Sequence, residues 1–347
     1  MPQAQTAEAP SNGELALLAE IRRRASRSTR SGLRLGIGDD CALLAPRRGE
    51  ELAVTTDLSI AGRHFRLDWH QPESIGHRAL ARGLSDLAAM GARPAAAFLS
   101  LGLPRELTVP NRCGSAPDHN KSWVQRFLDG LLALAELHTV PLAGGDLAES
   151  PLAVADIVLV GALPRGRALL RSGARPGDLL YVTGSLGGAA AALDRLAKLA
   201  VAQSTPPIIP RSLQALLAPH LYPQPRLAQG LCLQRRRLAS AALDLSDGLS
   251  TDLTHLCEES RVAAEVDATL LPIHSAASLH QALHGGEDYE LLFAAPPTVH
   301  VPRSIAGVAV TRIGRILRPC VGQSTINLLT PQGPQPLAAQ GWEHFPK

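Results

Sequence analysis

Between Ala242 and Asp252 the chain reads Ala-Leu-Asp-Leu-Ser-Asp-Gly-Leu-Ser-Thr-Asp, a short apolar run that passes through clustered carboxylates and a glycine into a helical pattern. Carboxylates this close repel one another and persist where a cation shares them, and hard oxygen donors of this kind suit Mg²⁺. Similar knots stand at Gly36-Ile37-Gly38-Asp39-Asp40, Thr55-Thr56-Asp57, Leu84-Ser85-Asp86, Gly144-Gly145-Asp146 and Gly285-Gly286-Glu287-Asp288. A single acidic turn is an ordinary solvated helix cap. Recurrence in one chemical style points instead to one shared site, and the fold has to gather these turns.

The 347 residues suffice for two domains, each with its own core. A formal charge of +3 and 3% aromatic residues argue against a nucleic-acid binder, which needs a basic stripe or stacking platforms. Arg22-Arg23-Arg24 and Arg235-Arg236-Arg237 read as solvated helix faces. The five cysteines are scattered and form no C-x-x-C pair, so neither a zinc knuckle nor a disulfide framework is expected. Without a membrane-length apolar run or a secretory signal, the expected location is cytoplasmic.

Taken in order, Ser11 with Glu14 forms a capping box for a helix over 15–25. A strand over 51–56 delivers Asp57. Pro72 opens a helix that runs to about Met90 with Gly91 as its stop, and Asp86 falls in its last turns, where a carboxylate opposes the helix dipole. A strand over 95–103 leads to an exposed loop over 104–121, and Ser122 with Gln125 restarts a helix whose apolar positions recur at helical spacing. Strands over 141–143, running into Gly144-Gly145-Asp146, and over 153–163 complete the first domain, residues 1–163, with the boundary in the glycine- and proline-bearing stretch 164–178. Beyond it, in residues 164–347, strands are expected over 179–183, 263–266, 289–294, 308–316 and 325–329. Helices are expected over 189–200, 249–260 and 275–284, with a connecting loop over 203–211. The interleaving has no strict βαβ period, which favours an α+β or mixed-sheet architecture over a Rossmann fold.

No G-x-x-x-x-G-K-[ST] occurs and Gly36-Ile37-Gly38 is not completed as G-x-G-x-x-G. Glycine-rich turns let backbone N–H groups approach phosphate oxygens, and an adjacent aspartate is tolerable there only with a divalent ion between, so the knots read as Mg²⁺-phosphate chemistry. Ser246 stands between two aspartates, but no histidine is placed beside it by sequence and no G-x-S-x-G elbow exists, which argues against a serine nucleophile.

Several stretches together resemble the thiamine-monophosphate kinase family: Gly36 to Ala42, Thr55-Thr56-Asp57, Leu84 to Gly91, Arg171-Ser172-Gly173-Ala174, Asp244 to Gly248, and Gly285 to Leu291. The resemblance implies a two-domain, aminoimidazole ribonucleotide synthetase-like fold: an α/β N-terminal domain that pairs in a homodimer, then an α+β domain, with mixed sheets and flanking helices. It implies ATP and thiamine monophosphate as substrates, with several Mg²⁺ ions. By matching motif positions, Asp40, Thr55, Thr56, Asp57, Asp86, Asp146, Asp244 and Asp247 would be metal ligands or their supports. Gly145, Asp146, Arg171 and Ser246 would touch ATP, with Arg171 the cation against the triphosphate, while His64, Glu287 and Trp342 would face the thiamine phosphate.

The chain departs from the pattern at Gly83, where asparagine is usual, at Leu58, and at Leu147 and Ala148, where threonines are usual. Each change removes a polar group. Two alternatives follow: another ATP-dependent member of the superfamily, such as an aminoimidazole ribonucleotide synthetase, and a nucleotide-binding scaffold without catalysis. Retention of the aspartates argues against the scaffold, because clustered carboxylates cost stability.

Overall fold

The computed structural model describes residues 14–25, 32–110, 121–201, 206–320 and 325–342. The first half comprises α1 (Glu14–Ala25), the short strands β1 (Leu33–Leu35) and β2 (Leu43–Leu44), β3 (Glu50–Ile60), α2 (Pro72–Ala89), β4 (Arg93–Leu103), α3 (Trp123–Leu137), β5 (Leu142–Glu149) and β6 (Val154–Pro164). Its sheet has the order β3-β6-β4-β5, parallel only between β4 and β5. Strand β3 alternates: Leu52, Val54 and Leu58 are exposed, while Thr55 and Asp57 turn toward α2.

Helix α2 organises this half. Pro72 occupies its first turn, and Gly91, in the left-handed region at φ +66°, closes it as the sequence predicts. Helix α3 starts on the expected capping box: Ser122 Oγ accepts from Gln125 N at 3.3 Å and Gln125 Oε1 accepts from Ser122 N at 2.8 Å. The two helices meet backbone to backbone, because a side chain at Gly76 would run into the Phe127 carbonyl and one at Gly130 into the Glu73 carbonyl.

The second half comprises β7 (Leu179–Thr183), α4 (Gly188–Ala200), α5 (Arg211–Leu221), α6 (Leu227–Arg236), β8 (Ala241–Asp244), α7 (Leu249–Ser260), β9 (Ala263–Asp267), α8 (Leu279–His284), β10 (Leu291–Ala295), β11 (Ser304–Ile305), β12 (Val308–Leu317), β13 (Ile326–Thr330) and β14 (Gly333–Pro336). Its sheet has the order β14-β13-β9-β12-β7-β10-β8 with β11 beside β12, and only β9 and β13 run parallel. The mixed-sheet expectation is met in both halves. One apolar core gathers Leu80, Leu84 and Leu87 of α2 with Ile157 and Leu159 of β6 and with Leu233, Ala242 and Phe293 of the second half. A second core lies within the later half around Leu180, Leu253, Leu256 and Ile316.

The structure departs from the sequence reading in several places. Helices α5 and α6 were hidden by Pro210, Pro219 and Gly230; burial of Leu217 and Leu221 on α4, and of Gln229 and Leu233 behind α2, overrides those breakers. Gly144-Gly145-Asp146 lies within β5, where the ladder Leu99↔Gly145 and Ser100↔Asp146 extends the strand. The helix expected from residue 275 begins only at Leu279, since Ser278 is its cap. The strand expected from Tyr289 begins at Leu291, because Glu287 and Tyr289 have positive φ. Arg24 does not face only solvent but pairs with Asp129 of α3 at 2.6 Å. Ser11 and residues 111–120 of the expected loop lie outside the described residues; the described part of that loop contains a single turn of 3₁₀-helix at Arg105–Leu107.

Candidate active site

Three elements converge on one acidic end. On α2 a spacing of four sets Arg78, Arg82 and Asp86 along one face. Asp57 comes from β3 across from it, and Asp244 from the last residue of β8. The Thr55 hydroxyl donates to Asp86 Oδ2, Ser85 Oγ donates to Asp244 Oδ2 at 2.6 Å, and Arg82 Nη2 lies 3.3 Å from Asp57 Oδ1. Asp86 thus has the local reason its place against the helix dipole required. Ser246 and Asp247 follow in the turn before α7, which Asp252 stiffens by accepting from the N–H groups of Asp247 and Gly248, each at 3.0 Å.

Burial dominates the electrostatics. It pushes the Asp57 carboxyl up to about 6, against the pull of Arg82 and helped by Asp86. It raises Asp244 to about 7, helped by Asp86, and Asp252 to about 8, helped by Asp244 and Asp247. Asp86 is raised as well, by burial, against the Thr55 hydroxyl and the charges of Arg171 and Arg82. Among the described residues Asp57 Oδ2 is buried with no hydrogen-bond partner. A Cβ at Gly83 would lie 3.6 Å from Asp57 Oδ2 but only 2.7 Å from Leu159 Cδ1, so a larger residue there would have to displace the Leu159 side chain. A set of buried, mutually repelling carboxylates with an orphaned oxygen suits cations supplied from solution. Among the described residues no three His, Cys, Asp or Glu side chains are already arranged to hold a metal ion.

The acidic residues line a cavity of about 480 Å³ together with basic and aromatic side chains. Arg63, His64, Arg66, Trp69 and His70 enter from the segment after β3, Ala189 and Leu193 from α4, Glu287 and Tyr289 from the turn before β10, and Trp342 from the chain's last described residues. His64 Nδ1 accepts from Ile60 N at 3.1 Å, so its neutral ring carries the proton on Nε2. Glu287 is held well below the ordinary carboxylate range, against its burial, by Arg78 and His220. The tail is pinned to the Asp247 turn: Gln340 N donates to Ser250 Oγ (3.3 Å), Gly341 N to Thr251 Oγ1 (3.0 Å) and Trp342 N to Asp247 O (3.1 Å).

Of the residues singled out in the sequence, Asp57, Asp86, Asp244, Ser246, Asp247, His64, Glu287 and Trp342 line this cavity, and Thr55 supports Asp86. Arg171 is near enough to act on Asp86 and Asp244 by its charge. The Thr56 side chain is not brought in, since strand alternation turns it to the exposed face. Asp40 is exposed in the turn after β1, and Gly145 and Asp146 are exposed on β5. The pairs Asp57↔Ile157, Ile157↔Leu99 and Leu99↔Gly145 put Gly145 three strands from Asp57, about 14 Å at ordinary strand spacing. Sequence reasoning missed Arg78 and Arg82, which the spacing of four from Asp86 could have revealed, and His70 and His220, for which no local signal exists.

Residues 38–163 match the family described as AIR synthase related protein, N-terminal domain, and residues 175–320 its C-terminal domain. The chain is 40% identical to the thiamine-monophosphate kinase of Escherichia coli strain K12, over 96% of this chain and 98% of that one. The chain belongs to the thiamine-monophosphate kinase family. Its Bacillus subtilis relative is 32% identical over 91% of this chain and 94% of its own. Among solved structures, the family member from Stenotrophomonas maltophilia K279a superposes with a TM-score of 0.74 at 38% identity, covering 91% of this chain and 96% of that one. A structure described as AaThiL complexed with AMPPCP and TMP gives 0.71 at 28% identity, covering 96% and 97%. The hydrogenase maturation protein HypE, 17% identical with a TM-score of 0.68 over 95% and 96% of the two chains, shares the fold. The kinase family, rather than an aminoimidazole ribonucleotide synthetase, is therefore the enzyme class of this chain. No helix among the described residues is long and apolar enough to cross a membrane.

Proposed function

We propose that this chain transfers the γ-phosphate of ATP directly to the phosphate of thiamine monophosphate, giving ADP and thiamine diphosphate. One observation carries the reading: a single cavity is lined both by carboxylates suited to metal-bound triphosphate and by basic and aromatic side chains suited to a phosphate attached to a cationic ring. The solved relative whose description includes both AMPPCP and TMP supports it.

Asp57, Asp86, Asp244 and Asp247 would hold several Mg²⁺ ions, with Thr55, Ser85 and Asp252 fixing their orientation. Bound there, Mg²⁺ supplies charge neutralisation between two polyanions. The acceptor is a phosphate oxygen, already anionic, so the chain needs no strong general base, and its residues contribute position and charge. Arg171, acting on the same carboxylates, serves the triphosphate, and the Nε2–H of His64 serves the acceptor phosphate. Among the described residues Ser246 has no imidazole partner; a nearby Ser–His pair is Ser250 Oγ with His284 Nδ1, 2.9 Å apart, and Ser250 is fully buried under the tail. Incubation with ATP, Mg²⁺ and thiamine monophosphate is expected to yield thiamine diphosphate with inversion at a chiral γ-phosphorus. Net retention, or radiolabelled phosphate left on the protein, overturns direct transfer.

The raised carboxyls give a pH signature. A carboxyl whose pKa rises on folding stabilises the fold below its ordinary value, 3.8 for Asp57, and that contribution is lost as pH climbs through the folded value, about 6 for Asp57 and about 7 for Asp244. The Tm of metal-free protein is expected to fall by several degrees between about pH 4 and about pH 8, and millimolar Mg²⁺ to restore it at the upper end. A flat metal-free profile, or indifference to Mg²⁺ at alkaline pH, refutes the metal assignment.

The same reading takes residues 1–163 and 164–347 as the two domains, keeps the cytoplasmic location, and makes the protein a homodimer through the exposed sheet face of Leu52, Val54 and Leu58, which are 44%, 62% and 46% exposed. Pairing about an axis along the strands would set the β5 edge of one copy, with Gly145 and Asp146, beside the β3 edge of the other. Sedimentation at twice the chain mass is expected, with Val54→Lys giving single chains; a wild-type protein sedimenting as one chain excludes the dimer.

A further inference from the structure

Glu287 sits in a left-handed conformation at φ +66°, its N–H bonded to Ser246 O at 2.8 Å, and its carboxylate closes a chain of side chains drawn from three other segments. Arg66 N donates to His70 Nδ1 at 3.1 Å and His70 Nε2 lies 2.9 Å from His220 Nε2; His220 Nδ1 lies 3.1 Å from Glu287 Oε2, close enough for charge attraction but off the line of a hydrogen bond. Arg78 Nη2 donates to Glu287 Oε1 at 2.5 Å. His70 and His220 are each only 2% exposed, so water does not substitute for a missing partner. Burial, with the Arg78 charge, lowers both imidazoles, His70 to about 3, and two neutral rings joined through their Nε2 atoms share a single proton at the joint.

The direction of that chain is fixed from its acidic end. His70 Nδ1 also lies 3.2 Å from Arg66 O, and a proton placed there would reverse the chain. The lone pair of His220 Nδ1 would then face the Glu287 carboxylate at 3.1 Å, a repulsive contact between two acceptors. The favourable arrangement has His70 protonated on Nε2 and His220 on Nδ1.

We propose that His70 and His220 are positioning residues that hold the Glu287 carboxylate in one orientation in the cavity, and so set affinity for the cationic acceptor rather than the rate of transfer. The inference rests on the proposed reaction. Its structural half does not: nitrogen-15 correlation of the imidazoles at neutral pH is expected to show the Nε2–H form for His70 and the Nδ1–H form for His220, and the opposite pair of tautomers overturns the relay. In kinetics, His220→Leu and His70→Leu are expected to raise KM for thiamine monophosphate about tenfold or more while kcat and KM for ATP stay within about twofold. His220→Asn and His70→Gln, which keep an N–H at the positions of Nδ1 and Nε2, are expected to recover most of the loss, and they carry the test if the leucine variants fail to fold. Unchanged KM in the leucine variants, or equal loss for both substrates without recovery by the amides, overturns the positioning role. A wild-type chain that makes no thiamine diphosphate refutes the reaction, and the tautomers then still decide the relay.

Discussion

Asp86→Asn is expected to cut turnover by about three orders of magnitude or more while leaving the metal-free protein at least as stable as the parent. The two halves of that result have one cause. Asp86 lies where a helix carbonyl end, burial and the Asp244 carboxylate all oppose its charge, and only the Thr55 hydroxyl and two arginine charges favour it. Removing the charge would therefore relieve the fold and, on the proposed metal assignment, deprive the reaction of a ligand for its cations, the trade between stability and activity common at such sites. Paired measurements of kcat with Mg²⁺ and of Tm without it check this. A fully active Asp86→Asn enzyme, or one that loses activity by unfolding, would refute the assignment.

Gly130→Ala is expected to destabilise the protein by about 2 kcal/mol or more and Gly130→Leu to prevent folding. On an exposed helix the alanine change would stabilise by about 1 kcal/mol through helix propensity. Here the added methyl falls on the Glu73 carbonyl of α2, and Gly76 meets the Phe127 carbonyl in the reciprocal contact, so the helices would have to separate along the crossing. The geometric cost outweighs the propensity gain and sets the sign. Urea unfolding of Gly130→Ala decides it, and a raised midpoint would falsify the claim of direct backbone contact.

Elements whose signals are local were legible. Pro72 and Gly91 bound α2, Ser122 and Gln125 cap α3, and the period of β3 follows from residues close in sequence. The aspartates of the acidic end were also legible, because their clustering is itself the anomaly. What sequence could not supply was distance across the fold. Nothing in Gly144-Gly145-Asp146 tells that it lies on the far edge of the sheet from Asp57, since strand order is set by tertiary pairing. Thr56 looked equivalent to Thr55 until the pleat turned it outward. His220 was invisible because α5 has its own proline and is held by packing against α4 that the local sequence does not announce.

The shared core around α2 bears on how this chain can be taken apart. Leu80, Leu84 and Leu87 pack with β6 on one side and with Leu233, Ala242 and Phe293 on the other, and Gly230 brings α6 onto the Ala88 carbonyl. Cutting the chain in the 164–178 connection would therefore strip an apolar surface from both fragments at once. The halves are separate in topology but not in solubility: recombination between family members that exchanges one half whole would have to carry the opposing face of α6 and β8 with it.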